Sequence, residues 1–153
     1  MVARARASPM EIEFKGGRAI EAALKELGAS ASKRLAGRAL AKAAEPIRDK
    51  ARRLAPKDQR HLEESIKIGA RAVKSVGRPG PDEARRYVGI DESEDPALHI
   101  YAPIQEFGNS ENAAQPYMRP AWNSEGPKAI ERLAPILWDD IERTAKRMAK
   151  KAG

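Results

Sequence analysis

Between Arg18 and Leu54, small apolar residues return at every third or fourth position: Ile20, Leu24, Leu27, Ala31, Leu35, Ala39, Ala43, Ile47, Ala51 and Leu54. A helix turns once in about 3.6 residues, so these positions share one stripe. A stripe with Ala at four of its ten positions lets backbones approach closely there, which suits neighbouring helices within one subunit or around a ring. Gly28 costs about 1 kcal/mol against Ala in a helix interior, and it marks the place where this long helix can divide. Ala29-Ser30-Ala31-Ser32 then offers a Ser cap for the restart. Pro46 lies inside the second part and predicts a kink or a missing ladder bond, and Pro56 ends the element.

The strand signals flank that helix. Met10 to Lys15 alternates apolar and charged residues, as a half-buried strand does, and Gly16-Gly17 ends it. Ser65 to Val73 alternates again through Ile66, Ile68, Ala70 and Ala72, and Arg86 to Ile90 reads as a short strand. Between them, Val76 to Arg85 is a polar, turn-rich excursion. Asp91 to Ala97, DESEDPA, is an acidic loop.

The segment Ile100 to Trp122 holds three of the five Tyr and Phe residues and one of the two Trp. Pro103, Pro116 and Pro120 each lack a donor and restrict the residue before them, so the segment as a whole is no regular helix. It predicts a strand over Leu98 to Phe107, an exposed loop over Gly108 to Gln115, and an extended run feeding a last helix. Pro127 suits the first position of that helix, whose apolar stripe is Ile130, Leu133, Leu137, Ile141 and Met148. Its Lys-rich end, Lys146 to Lys151, complements the helix dipole. The expectation is an α+β fold. A small antiparallel sheet of three to four strands packs against a long N-terminal helix, divisible near Gly28, and a C-terminal helix. Residues 1–10 form a basic arm and residues 11–151 a single domain.

At 153 residues the chain is large enough for one real core, but aromatics make up only 5% of it, so it buries little area per residue. It has no Cys, which excludes disulfides and thiolate metal sites. No apolar run approaches the roughly 20 residues that span a bilayer, and the basic start has no apolar centre like that of a secretory signal. No membrane partner is expected, and synthesis and assembly in a cytoplasm are. The net charge of +7 and pI of about 9.8 favour a polyanionic partner. Both signs are mixed along each helix, however, as on a solvated surface or a face matching an acidic neighbour.

Chemistry has little support. His61 and His99 are isolated and not in ligand spacing with carboxylates. The acidic run Asp91, Glu92, Glu94, Asp95 lacks the Gly and terminal Glu of a calcium loop. Ser65 has His61 four residues away but no nucleophile elbow or third group, and Gly77-Arg78-Pro79-Gly80 is no phosphate loop. No cofactor, no metal and no enzyme activity is expected. Glu106 reads best as the partner of Arg119 in an ion pair that clamps the loop between them, because Arg meets a carboxylate bidentately. Tyr101, Phe107, Tyr117 and Trp122 have Pro, Ala, Glu and Gly around them and only Arg119 as a basic neighbour. They read as core or subunit-contact anchors and not as base-stacking platforms.

Tyr101-Ala102, Glu106-Phe107-Gly108 and Pro116-Tyr117-Met118-Arg119-Pro120-Ala121 resemble the signature of the gp-ten-like family of phage HK-ninety-seven, tail-component or neck proteins whose pattern looks like YA-x-x-x-EFG-T followed by PF-x-RPA. Ala55-Pro56, Asp58, Leu62 and Ser65-Ile66 resemble the family's AP-x-D-TG-x-L-x-x-SI, and Ile12 to Gly16 its opening. The likeness runs from residue 11 to about 150 and extends to minor tail protein Z-like tail completion proteins. Gln59-Arg60 replaces the family's TG, Asn109 its Thr and Tyr117 its commoner Phe; Arg60 would take up a Gly-type turn only with strain. The resemblance implies a structural virion protein at the neck or head-proximal tail, active in head–tail joining or tail completion. It implies a ring of copies, a hexamer by phage architecture. Its neighbours would be head-closure or connector proteins and tail terminator or tube proteins, with contact to packaged DNA also open. Pro56, Asp58, Leu62, Tyr101, Glu106, Phe107, Gly108, Pro116, Tyr117, Arg119, Pro120 and Trp122 are the motif residues that would carry structure and interaction. The alternative is a basic, sequence-independent nucleic-acid-binding module, which predicts binding that falls steeply with salt.

Overall fold

The computed structural model describes residues 17–57, 61–70, 78–80 and 83–152. In chain order the elements are α1 (Gly17–Leu27), α2 (Ala29–Leu54), α3 (Leu62–Ser65), β1 (Ile66–Gly69), β2 (Tyr87–Ile90), α4 (Leu98–Phe107) and α5 (Met118–Ala152). The expected strand at Met10 to Lys15 and the basic arm lie outside the described residues, as do Asp58, Gln59 and Arg60.

The long stripe forms a broken helix, as its spacing predicts. The break is at Gly28, whose φ of 88° and ψ of 157° suit a residue without Cβ. The restart has no side-chain cap, contrary to the Ser expectation. Ser32 instead sends its hydroxyl back across the break to the Leu24 carbonyl at 2.5 Å, which ties α1 to α2. Helix α2 continues through Pro46. Its buried edge is Leu35, Ala39, Ala43, Ile47 and Ala51, and Ala55 completes it. Leu54, expected in the stripe, is exposed, because the step of four from Ala51 lands on Ala55.

Helix α5 packs along α2, and the cores lie on that seam. One core gathers Ala43, Ile47, Ala51, Leu62, Ile66, Leu98, Ala102, Tyr117, Ala121 and Ala129. The other gathers Ile20, Leu35 and Ile141, with Leu24, Leu27, Leu137 and Trp138 against them. Small residues on both helices permit the close approach, so the few large side chains matter most. Tyr117, Leu35, Leu62 and Ile66 are the largest fully buried ones, each contributing about 1.5–3 kcal/mol by burial.

The sheet is smaller than expected. Among the described residues it has two antiparallel strands, with Ile66 opposite Ile90 and Gly69 opposite Tyr87. The strand expected at Leu98 to Phe107 is helix α4. Leu98, Ala102 and Glu106 are its buried positions, one turn apart, and Asp95 starts it by accepting the Ala97 N–H on its side chain (3.1 Å) and the Leu98 N–H on its carbonyl (3.0 Å). The last helix begins at Met118, nine residues before the expected start at Pro127, and runs through Pro127 and Pro135. Pro120 falls in its first turn, where no N–H is needed. What starts the helix so early is a side chain from α4.

Candidate functional site

The Glu106 carboxylate is only 4% exposed and sits at the N-terminus of α5. Its Oε2 accepts the backbone N–H groups of Tyr117 (2.7 Å) and Met118 (2.9 Å). Its Oε1 accepts the Arg119 N–H (2.9 Å) and Arg119 Nε (3.0 Å). A helix start leaves several N–H groups without partners and carries partial positive charge, so a carboxylate there meets both needs. Burial pushes the Glu106 carboxyl up, but the three backbone donors and the Arg119 guanidinium outweigh it and hold the group below the usual carboxylate range. The Glu106–Arg119 ion pair anticipated from sequence is present, and the capping of α5 by the same carboxylate is an additional role.

Arg119 closes the arrangement from outside. Its second terminal nitrogen donates to the Glu106 carbonyl (3.0 Å), and its guanidinium lies 4.7 Å above the centre of the Phe107 ring, a cation–π distance. Beneath it, Tyr117 is 2% exposed and donates its hydroxyl to the Ala102 carbonyl at 3.1 Å. Burial first, then the nearby Glu106 charge, push the Tyr117 phenol up to about 12, so it stays a donor.

The chain between the two helices is wired as well. Gly108 has φ 72° and gives its N–H to the Ile104 carbonyl (2.7 Å), ending α4. A Cβ there would lie 2.7 Å from the Ala114 nitrogen and 2.9 Å from the Asn112 oxygen, so both conformation and space call for Gly. The Asn109 side-chain oxygen accepts the N–H groups of Glu111 (3.0 Å) and Asn112 (2.7 Å), and Gln115 N–H reaches the Gln105 carbonyl (2.7 Å).

The motif residues thus divide. Glu106, Gly108, Tyr117, Arg119 and Pro120 build the junction, and Tyr101 is half-buried against the core. Phe107 and Trp122, in contrast, are 65% and 52% exposed, with Trp122 also leaning on Gly126. Pro116 is exposed just before the junction. The upstream motif is separate: Leu62 is fully buried, Pro56 follows α2, and Asp58 lies outside the described residues. His61, at φ 54°, is the residue with a left-handed backbone there. The two histidines face carboxylates singly, His61 with Glu64 at 3.6 Å and His99 with Glu92 at 3.3 Å. Ser65 uses its hydroxyl on the Leu62 carbonyl at 2.6 Å. No group of three or more His, Asp or Glu side chains among the described residues could hold a metal ion. No helix among them is long and apolar enough to cross a membrane.

A second feature has no signature in the sequence. Between the start of α2 and the end of α5 lies a groove of about 680 Å³ with Arg34, Arg38, Arg86, Arg147 and Lys151 on its walls. Its residues come from three distant parts of the chain, and only the packing of α5 along α2 brings them together.

The family described as "Bacteriophage HK97-gp10, putative tail-component" matches residues 18–108, more than half of the 153-residue chain. The match takes in both helices of the Ala-rich stripe, the Pro56 motif and the Tyr101 to Gly108 motif, and it stops short of the Pro116 to Ala121 motif. No curated protein and no solved structure matches the chain.

Proposed function

From the premise that this chain belongs to the HK97-gp10-like family of bacteriophage tail components, we propose that it is a structural protein of a tailed phage or phage-like particle. It acts at the neck or head-proximal tail, joining head to tail or completing the tail as a ring of copies. It works by surface complementarity, between head-closure or connector proteins on one side and tail terminator or tube proteins on the other.

The observation that carries this reading is how the junction uses its residues. All four hydrogen bonds to the Glu106 side chain come from the start of α5. The group serves as a brace, and Phe107, next to it in α4, and Trp122, in the first turns of α5, are exposed. Rigid, exposed aromatic side chains are what interface hot spots are made of. In this reading they seat on a neighbouring copy.

Particle fractionation and imaging of the head–tail junction test it. The expected result is a ring of this protein at the neck. A chain carrying Phe107→Ala and Trp122→Ala should fold and yet be missing from particles; normal incorporation would count against the aromatic contact. Absence of the wild-type protein from intact particles, with soluble protein binding DNA in a salt-dependent way, would favour the nucleic-acid module instead.

A further inference from the structure

We propose that the basic groove between α2 and α5 receives the acidic loop Asp91–Ala97 of a second copy of this chain. The proposal rests on the ring reading above only in requiring that copies meet.

The groove is a built cation site. Arg34 and Arg38 are one turn apart on α2, Arg147 and Lys151 one turn apart on α5, so two cation pairs face each other across it. Arg86, at the foot of β2, supplies the fifth charge, and its guanidinium rests against the α2 backbone where residue 37 is Gly. A Cβ at that position would come 2.8 Å from the Arg86 Cζ, so Gly37 is what admits the charge into the groove wall. Among the described residues, no carboxylate lines the groove. Three carboxylates lie just upstream on α5: Asp139 is engaged by Arg143 at 2.8 Å, Asp140 by Lys42 at 3.6 Å, and Glu142 is exposed and does not line the groove. Five like charges converging without a counter-ion repel one another, and an anionic occupant relieves that repulsion.

The same chain carries the complementary element. Asp91, Glu92, Glu94 and Asp95 put four carboxylates within five residues, with Glu92 and Glu94 exposed. The loop is shaped before any contact, since Asp91 accepts the Ser93 N–H (3.0 Å) and Asp95 the Ala97 N–H (3.1 Å). It is also held away from its own groove. Arg86 precedes β2 and Asp91 follows it, and a strand advances about 3.3 Å per residue, so the two lie roughly 16 Å apart. Asp91 is pinned at its end by Lys67 (3.0 Å) and by its N–H to the Ser65 carbonyl (2.7 Å). Loop and groove therefore pair between copies, head to tail, the type of contact that closes into a ring when its rotation permits. Buried Leu35 and half-exposed Met148 give the groove an apolar lining. That lining and the groove's size suit an inserted loop better than a DNA duplex, which lies across a surface.

The test uses two charge-reversed chains and sedimentation at low salt. One carries Arg34→Glu and Arg38→Glu, the other Glu92→Lys and Glu94→Lys; all four residues are exposed, and circular dichroism verifies folding. The wild-type chain is expected to self-associate, each variant alone to associate about tenfold less tightly or worse, and an equimolar mixture of the two to associate again, because each groove then faces an opposite loop. A wild-type chain that stays monomeric, variants that associate like wild type, or a mixture that fails to recover would each overturn the proposal. Salt-sensitive binding of a short DNA duplex that is lost in the groove variant, without recovery in the mixture, would also overturn it and assign the groove to nucleic acid. The assay needs only purified chains. Its failure leaves the neck reading standing, and absence from particles would leave the loop–groove contact standing.

Discussion

The α4–α5 junction and the basic groove both depend on arginine, and they treat it in opposite ways. At the junction, Arg119 has a buried carboxylate at 3.0 Å, a backbone carbonyl and an aromatic ring. In the groove, Arg34, Arg38, Arg86, Arg147 and Lys151 converge with no carboxylate among the described lining residues. A charge whose partners are all internal serves the fold. A cluster of charges without internal counter-charge is a surface kept for something else. The two regions can therefore be separated by experiment: damage to the junction should appear in stability, and damage to the groove in association.

The largest effect is expected from Glu106→Ala. It leaves the Tyr117, Met118 and Arg119 N–H groups without their acceptor and strands Arg119, and should cost about 3 kcal/mol. Urea unfolding of Glu106→Ala, Arg119→Ala and the double variant would check this. Arg119 is more than half exposed, so its own removal should cost much less, about 1 kcal/mol, and the cycle should show strong coupling. A Glu106→Ala chain as stable as wild type would remove the brace from the account.

Acid should reproduce part of that loss. The Glu106 carboxyl sits below its ordinary value of 4.5 in the folded chain. Its contribution to stability is therefore fully present above 4.5 and is lost as pH falls through the lower, folded value. Wild type should lose more stability over that range than Glu106→Gln does, measured as the change in urea midpoint. Equal slopes would show that the carboxylate charge is not what holds the start of α5.

The smallest effect sharpens the contrast. Arg34→Gln with Arg38→Gln removes two exposed like charges and should change stability by no more than about 0.5 kcal/mol in thermal unfolding, with any change toward greater stability. A loss comparable to that of Glu106→Ala would mean that the groove is part of the fold after all.

Different physics made some of this legible in sequence and hid the rest. The Ala-rich stripe showed because its three-and-four spacing is local, and Gly28 showed because backbone freedom belongs to the residue itself. The pairing of Glu106 with Arg119 was visible in the motif, and so was the family. Helix α4 was misread because Ile100, Tyr101, Pro103 and Phe107 look like an extended edge, while the helical signal lay in the one-turn spacing of Leu98, Ala102 and Glu106. The early start of α5 was invisible for a stronger reason. Its cap comes from another helix, and although Arg119 pointed to Glu106 as an ion-pair partner, nothing in the sequence marks the Tyr117, Met118 and Arg119 backbone N–H groups as the donors that carboxylate would accept. The groove was hidden in the same way, since five scattered cations become a site only after α5 lies down along α2.

The capping of α5 by Glu106 also changes what the intervening chain is for. Residues 109–115 connect two helices that are already fastened to each other by side-chain and backbone bonds around Glu106, Tyr117 and Arg119. The covalent link is then mechanically redundant. Lengthening a closed loop costs little, about 0.6 kcal/mol for each doubling, so this turn is the natural place to splice in an epitope or a fluorescent tag and follow the protein without loosening the helices that it joins.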